Sequence, residues 1–223
     1  LIRSLKILRE INPDIIQGWL AHGNFVAQIA SIFLPCRLST LWNIRYTALP
    51  KAETKNSTLL IIKLLSLLSS LPQKIIFNSK AGANDHIRMG YRRDKSCIIP
   101  NGFDTELFLP SEIKRKSVRL EININEESIL IGLIGRFDPL KDHSCFLKAG
   151  AMLLSRKRGI FFLLVGRKVD WKNPHLKQLI EKLGMKEKVF LLGERRDIPR
   201  IMAALDIATC TSVAEGFPNV IGE

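Results

Sequence analysis

The first apolar pattern in the chain recurs at helical spacing, at Leu1, Ile2, Leu5, Leu8 and Ile11. Asn12-Pro13 stops it. A short apolar run, Asp14 to Trp19, then predicts a buried strand, and Asn24 to Leu34 returns to a helix. Ser39 to Ile44 predicts a strand, Arg45 to Lys55 a polar loop, and Ser57 to Leu71 a helix ended by Pro72. Lys74 to Asn78 predicts a strand, Lys80 to Met89 a helix ended by Gly90, and Cys97 to Ile99 a strand closed by Pro100.

Residues 101–127 break this rhythm. They hold Pro110 and the basic run Lys114-Arg115-Lys116, so residues 109–127 are expected to connect two domains, 1–108 and 128–223. The alternation then restarts. Strands are expected at Ser128–Ile134, Gly159–Val165, Val189–Leu192 and Asp206–Thr209. Helices are expected at Ser144–Arg156, Pro174–Leu183 and Ile198–Ala204, with Asn219 opening another. Strands alternating with helices imply βαβ units on parallel sheets, here two Rossmann-like doubly wound halves. The chain opens inside a helix without Met and stops where a helix begins, so both halves are expected to be incomplete.

Composition changes this picture little. Hydrophobic residues make up 46% and charged residues 25%, which excludes extensive disorder. The formal net charge of +13 favours polyanions, among them nucleic acid, an anionic membrane face and a diphosphate ligand. Charge alone does not choose among them. The basic residues are scattered and no RNA-binding aromatic signature is present. Cys36, Cys97, Cys145 and Cys210 are irregularly spaced, which argues against zinc and against a disulfide framework; buried thiols in a reducing cytosol are expected. The longest apolar run, Leu59 to Leu71, contains Lys63 and is too short to span a bilayer. With Lys51, Lys55 and Lys63 around it, this helix is equally readable as a core element or as a contact to an anionic membrane.

Three motifs carry chemistry. Gly135-Arg136-Phe137-Asp138-Pro139-Leu140-Lys141-Asp142 follows a strand and precedes a helix that Asp142 can cap. Two cations and a helix amino end there suit a diphosphate, and the same pattern also fits two solvated loop charges. Glu215-Gly216-Phe217-Pro218-Asn219-Val220-Ile221-Gly222-Glu223 follows another strand. It places one carboxylate before a helix and one a turn inside it, a pair able to accept hydrogen bonds from sugar and ribose hydroxyls. The same pattern also fits an ordinary strand–loop–helix junction. The loop Trp19-Leu20-Ala21-His22-Gly23-Asn24 offers His22, which by itself reads as a structural or exposed histidine and not as a site residue.

Taken together, these motifs resemble glycosyltransferase family 4, the group 1 retaining transferases of the GT-B fold. Supporting marks are Ile99-Pro100-Asn101-Gly102-Phe103-Asp104, Gly193-Glu194-Arg195-Arg196-Asp197 and Asn78-Ser79. The resemblance implies that Arg136 and Lys141, beside Gly135, grip the diphosphate of a nucleotide-sugar donor. Glu215 would hold hydroxyls of the transferred sugar, and Gly216, Phe217, Asn219 and Val220 would offer backbone amides. Glu223 would bind the ribose, the turn carrying Arg196 would lie near the base, and His22 would lie near the reacting sugar carbon. No Asp-x-Asp occurs, so no metal or other cofactor is expected beside the donor. The acceptor is expected to be a glycan or lipid-linked sugar in surface polysaccharide or lipopolysaccharide assembly. The location is expected to be cytoplasmic, with peripheral membrane association in view and no nucleic-acid partner. A basic nucleic-acid or membrane-binding module and a GT-B sugar-nucleotide epimerase remain alternatives.

Overall fold

A computed structural model describes residues 2–34, 38–47 and 54–223. Cys36 and Lys51 lie outside the described residues. The chain divides into two compact units, Leu1–Asn101 with Ala214–Phe217, and Gly102–Val213 with Pro218–Glu223.

The first unit carries four parallel strands, β1 (Ile15–Trp19), β2 (Ser39–Ile44), β3 (Lys74–Phe77) and β4 (Ser96–Ile98). They lie in sequence order, with Ile15 opposite Ser39, Leu41 opposite Lys74 and Ile75 opposite Ser96. Helices α1 (Ile2–Ile11), α2 (Leu20–Phe33), α3 (Asn56–Leu68) and α4 (Lys80–Arg88) alternate with them. Trp42, Ile44, Ile75 and Phe77 project from the strands onto Ala21 of α2, Ile62 and Leu65 of α3, and Ala83 of α4. Burial of these side chains is what holds α2, α3 and α4 to the sheet.

Two expectations in this unit are corrected. The predicted loop at Trp19–Asn24 is already helical from Leu20 onward. A Cβ on Gly18 would fall 2.5 Å from the Asn24 Cα, so the glycine lets the helix start directly at the strand end. The predicted end of α3 at Leu71 comes instead at Leu68. The buried Ser69 hydroxyl donates to the Ser66 carbonyl at 2.7 Å and accepts from the Arg92 amide at 3.1 Å, which turns the chain before Pro72 acts. Helix α3 packs Ile62 and Leu65 into the core but leaves Leu60 and Leu67 exposed, with Lys55 and Lys63 also exposed. No helix among the described residues is long and apolar enough to cross a membrane.

The second unit carries β5 (Ile129–Ile134), β6 (Ile160–Val165), β7 (Val189–Leu191) and β8 (Ile207–Thr209), all parallel, in the order β7-β6-β5-β8. Its helices are α5 (Glu112–Glu121), α6 (His143–Leu154), α7 (Pro174–Lys182), α8 (Ile198–Ala204) and α9 (Asn219–Gly222). Successive strand residues alternate between two cores. Ile131, Leu133, Phe162 and Leu164 pack with Phe146, Leu147, Leu176 and Ile180, while Leu130, Leu163 and Val165 pack with Val118, Ile201 and Ala204. Helices on both faces explain why these strands read as unbroken hydrophobic runs. Progress from β5 to β7 in one direction, followed by β8 on the other side of β5, makes this sheet doubly wound.

The stretch 109–127 is not merely a connection. Ser111 caps α5 by accepting from the Lys114 amide, and Val118 and Arg119 on that helix are almost fully buried. Arg119 donates to the carbonyls of Asn125, Glu126 and Ser128 at 3.2, 2.7 and 2.8 Å, and to Asp206 at 2.5 Å. Asp206 in turn accepts from the Leu130 amide at 2.7 Å. A basic helix whose arginine satisfies buried carbonyls resembles a linker by composition alone.

Candidate functional site

In an open parallel sheet, ligands settle beyond the carboxyl ends of the strands, where the winding reverses. In the second unit that place lies between β5 and β8. The loop leaving β5 begins with Gly135, whose amide continues the ladder to Val165 at 2.8 Å. Phe137 is held likewise, its amide donating to Arg167 at 2.9 Å. Gly166 lies directly beneath, at φ +153°. A Cβ there would fall 2.2 Å from the Gly135 carbonyl oxygen and 2.9 Å from the Arg136 nitrogen, so only glycine admits this approach.

Arg136 stands on this loop with about half of its side chain exposed, and its Nε and Nη2 both lie 3.0 Å from Asp138 Oδ2. Asp138 also accepts from the Leu140 amide at 3.0 Å. Burial pushes the Asp138 carboxyl up, but the Leu140 amide and the Arg136 guanidinium outweigh it and hold the group below its ordinary value. The cation at 136 is therefore oriented and partly balanced by a neighbour, not freely solvated. Lys141 ends a 3₁₀ turn, Pro139–Lys141, and its aliphatic chain lies over Gly135. The segment after β8 fastens that turn from the other side. Thr211 donates to the carbonyls of Lys141 and Asp142 at 2.9 and 3.1 Å, and the Val213 amide donates to Leu140 at 2.9 Å.

Asp142 caps α6, as its sequence position predicts, accepting from the Cys145 amide at 3.0 Å. The cap changes the expected chemistry, because a carboxylate now sits where an anion would meet this helix end. The side chains of Arg136 and Lys141, not the α6 amino end, are what this loop offers a phosphate. Cys145, expected to be buried, is exposed at the same helix end, while Cys97 and Cys210 are half-buried. His143 is 98% buried, since its relative exposure is 2%, and packs on Phe137 at 5.4 Å. Burial pushes its ring below the ordinary histidine range.

Two cations escaped the sequence reading. Arg167 and Lys168 follow β6 as Arg136 follows β5, and with Arg136, Phe137 and Asp138 they line a cavity of about 340 Å³. The available signal was the repeated Gly-Arg pair, Gly135-Arg136 and Gly166-Arg167, each closing a strand.

The Gly193–Asp197 turn is anchored by the Gly193 amide on the Val169 carbonyl at 2.9 Å. Arg195 and Arg200 both pair with Glu121 and Asp197, which absorbs Arg195 into a structural ion network. Arg196, beside it, is exposed and takes no part in that network. Asn219 and Val220 open α9, as predicted. A Cβ on Gly222 would fall 2.2 Å from Phe103 Cζ, so glycine lets α9 rest on that ring. Glu223 lines a cavity of about 220 Å³ with Phe108, Leu109, Pro199 and Met202. Burial pushes its carboxyl up.

Residues 214–217 group with the first unit, so Glu215, Gly216 and Phe217 belong to a different unit from Asn219, Val220 and Glu223. A Cβ on Gly216 would fall 2.6 Å from both the Arg45 carbonyl oxygen and Asn78 Oδ1, which explains the glycine between Glu215 and Phe217. His22 lies in the first turn of α2, exposed, at the carboxyl end of β1. The turn is fixed by buried Asn24, which exchanges hydrogen bonds with the Asn43 backbone at 3.2 and 3.1 Å. Leu20 pays for the tight entry with φ +61°. Sequence reasoning also missed Arg45, which stacks over Trp19 at 5.3 Å and donates to Asn101 Oδ1.

Known proteins place this architecture. A model described as Glycosyltransferase Family 4 matches residues 1–107, and one described as Glycosyl transferases group 1 matches residues 128–223. A Campylobacter jejuni N-acetylgalactosamine-N,N'-diacetylbacillosaminyl-diphospho-undecaprenol 4-alpha-N-acetylgalactosaminyltransferase is 27% identical over 223 residues, 100% of this chain and 58% of its own length. An Escherichia coli UDP-Gal:alpha-D-GlcNAc-diphosphoundecaprenol alpha-1,3-galactosyltransferase is 24% identical, again over 100% of this chain and 58% of its own. The Anabaena protein HepE, solved in complex with UDP and glucose, superimposes with a TM-score of 0.83 at 26% identity, covering 99% of this chain and 58% of that one. The chain thus spans 58% of the length of these relatives. With both units matched in order by family models and the pair of parallel sheets shared with solved GT-B proteins, the chain belongs to the group 1 glycosyltransferases of glycosyltransferase family 4.

Proposed function

We propose that the protein is a retaining transferase that moves a hexose from a nucleotide-diphosphate sugar to a glycan or lipid-linked acceptor in surface polysaccharide assembly, lipopolysaccharide included. The observation that carries this reading is the Gly135–Lys141 loop, which holds Arg136 and Lys141 beside the winding reversal at β5 and β8. Breaking a sugar–diphosphate bond leaves negative charge on the departing diphosphate, and fixed cations stabilise it without reorganising. Arg136 and Lys141 take that role, with the amides of Gly216, Phe217, Asn219 and Val220. Glu215 accepts from hydroxyls of the transferred sugar and Glu223 from the ribose. The turn bearing Arg196 meets the base, and His22 serves the reacting carbon. The donor needs no metal or separate cofactor in this scheme. HepE's complex with UDP supports a uridine donor, and the two named transferases support a lipid-diphosphate acceptor.

Work at the inner face of the plasma membrane, with α3 and its lysines toward anionic lipid, completes the proposal. Titration of the full-length protein with UDP, GDP and ADP, followed by mass spectrometry of products from a panel of nucleotide sugars and lipid-linked acceptors, tests it. Failure to bind any nucleoside diphosphate refutes the transferase reading. Sedimentation with anionic vesicles at low and high salt tests the membrane component, and the absence of salt-sensitive binding refutes it.

A further inference from the structure

Arg45 is the first residue after β2, at the carboxyl edge of the first unit's sheet, and it is held on two sides. The Trp19 ring, at the end of the neighbouring strand β1, lies 5.3 Å beneath its guanidinium. Asn101 Oδ1 accepts from its Nη2. Neither partner is an anion. Among the described residues Arg45 enters no ion pair, in contrast to Arg136, whose charge is shared with Asp138. A guanidinium fixed by an aromatic face and a neutral amide keeps its full charge and its remaining N–H donors, aimed by two contacts that cost little to maintain. His22 stands in the adjoining helical turn, three residues along from Trp19. The carboxyl edge of a parallel sheet is where such a fork meets a ligand.

We propose that Arg45 is the anion contact of the acceptor, taking oxygens of the phosphate or diphosphate through which the acceptor sugar is joined to its carrier. This deepens the transferase reading and rests on it, since it commits the acceptor to the phosphorylated class. Trp19 and Asn101 act as positioning residues that hold the fork in place.

The test uses the full-length protein with farnesyl diphosphate as probe, titrated by calorimetry with UDP present in excess so that Arg136 and Lys141 are occupied. The expected result is saturable binding that Arg45→Ala weakens about tenfold or more, on the scale of one charge-assisted hydrogen bond, with Arg45→Lys intermediate. UDP affinity of Arg45→Ala stays within twofold of the parent, which also reports that the variant is folded. Absence of farnesyl diphosphate binding by the parent overturns the proposal, as does equal binding by parent and Arg45→Ala. Equal affinity for inorganic pyrophosphate assigns the site to free phosphate and overturns the acceptor assignment. If UDP itself does not bind, the transferase reading falls, and the farnesyl diphosphate titration still decides Arg45 separately.

Discussion

Gly166 leaves no room for a side chain beneath Gly135: a Cβ at 166 would lie 2.2 Å from the Gly135 carbonyl oxygen. The end of β6 thereby supports the loop that carries Arg136. Gly166→Ala combines an unfavourable backbone conformation with an overpacked contact. Together these predict a loss of roughly 2–4 kcal/mol in the stability of the second unit, with weakened nucleoside diphosphate binding. Chemical denaturation and calorimetry check this. Wild-type stability in the alanine variant would show that the loop does not depend on this contact.

Arg136→Ala and Lys141→Ala are each predicted to weaken nucleoside diphosphate binding, Arg136→Ala by roughly 1.5–3 kcal/mol, the scale of hydrogen bonds to charged groups. Because Asp138 orients Arg136 at 3.0 Å, Asp138→Ala is expected to cost part of the same affinity without touching the ligand. Unchanged affinity in both cation variants sinks the diphosphate assignment.

Glu215 and Glu223 are anionic like the donor, so each must meet hydroxyls, not phosphates. Glu215→Gln is predicted to slow sugar transfer more than it weakens the bare nucleoside diphosphate. Glu223→Gln is predicted to weaken both ligands, since both keep the ribose, by roughly 1–3 kcal/mol. Equal effects of the two variants on the bare diphosphate would contradict their assignment to separate ends.

Arg119, 1% exposed, satisfies the carbonyls of Asn125, Glu126 and Ser128 and the carboxylate of Asp206. Arg119→Leu strands those acceptors in the core and is expected to cost roughly 3–5 kcal/mol, the scale for breaking a buried pair from one side. An urea midpoint within error of the parent would disprove that role.

His86 and His143 are both buried, and burial holds both rings below the ordinary histidine range. The folded protein takes up protons on these rings only at lower pH than the unfolded chain, which does so as pH falls through about 6.5. Stability from these groups is therefore present above that pH and lost as pH falls below it, down to the folded-state pKa. Denaturation midpoints measured between pH 7.5 and 5.5 should decline, and more shallowly in His143→Gln. A flat profile in the parent would refute this.

The sequence by itself determined the alternation of strands and helices in both halves, because burial on a sheet imprints its period on neighbouring residues. It also determined local devices such as Asp142 capping α6 and Asn219 opening α9, since a cap and its helix lie within a few positions. The Gly135–Lys141 motif was legible for the same reason. What only the tertiary structure decided joins residues far apart in the chain. The placement of β8 beside β5 created the winding reversal, and no periodicity encodes strand order. Helix α5 hid behind its basic run because Arg119 finds its partners near 125 and 206. His22 moved from loop to helix because Gly18 admits Asn24 at close range. Arg45 became a candidate contact only when folding set it between Trp19 and Asn101, 26 and 56 positions away, where cation–π stacking and a neutral acceptor fix a charge that composition counts but cannot aim.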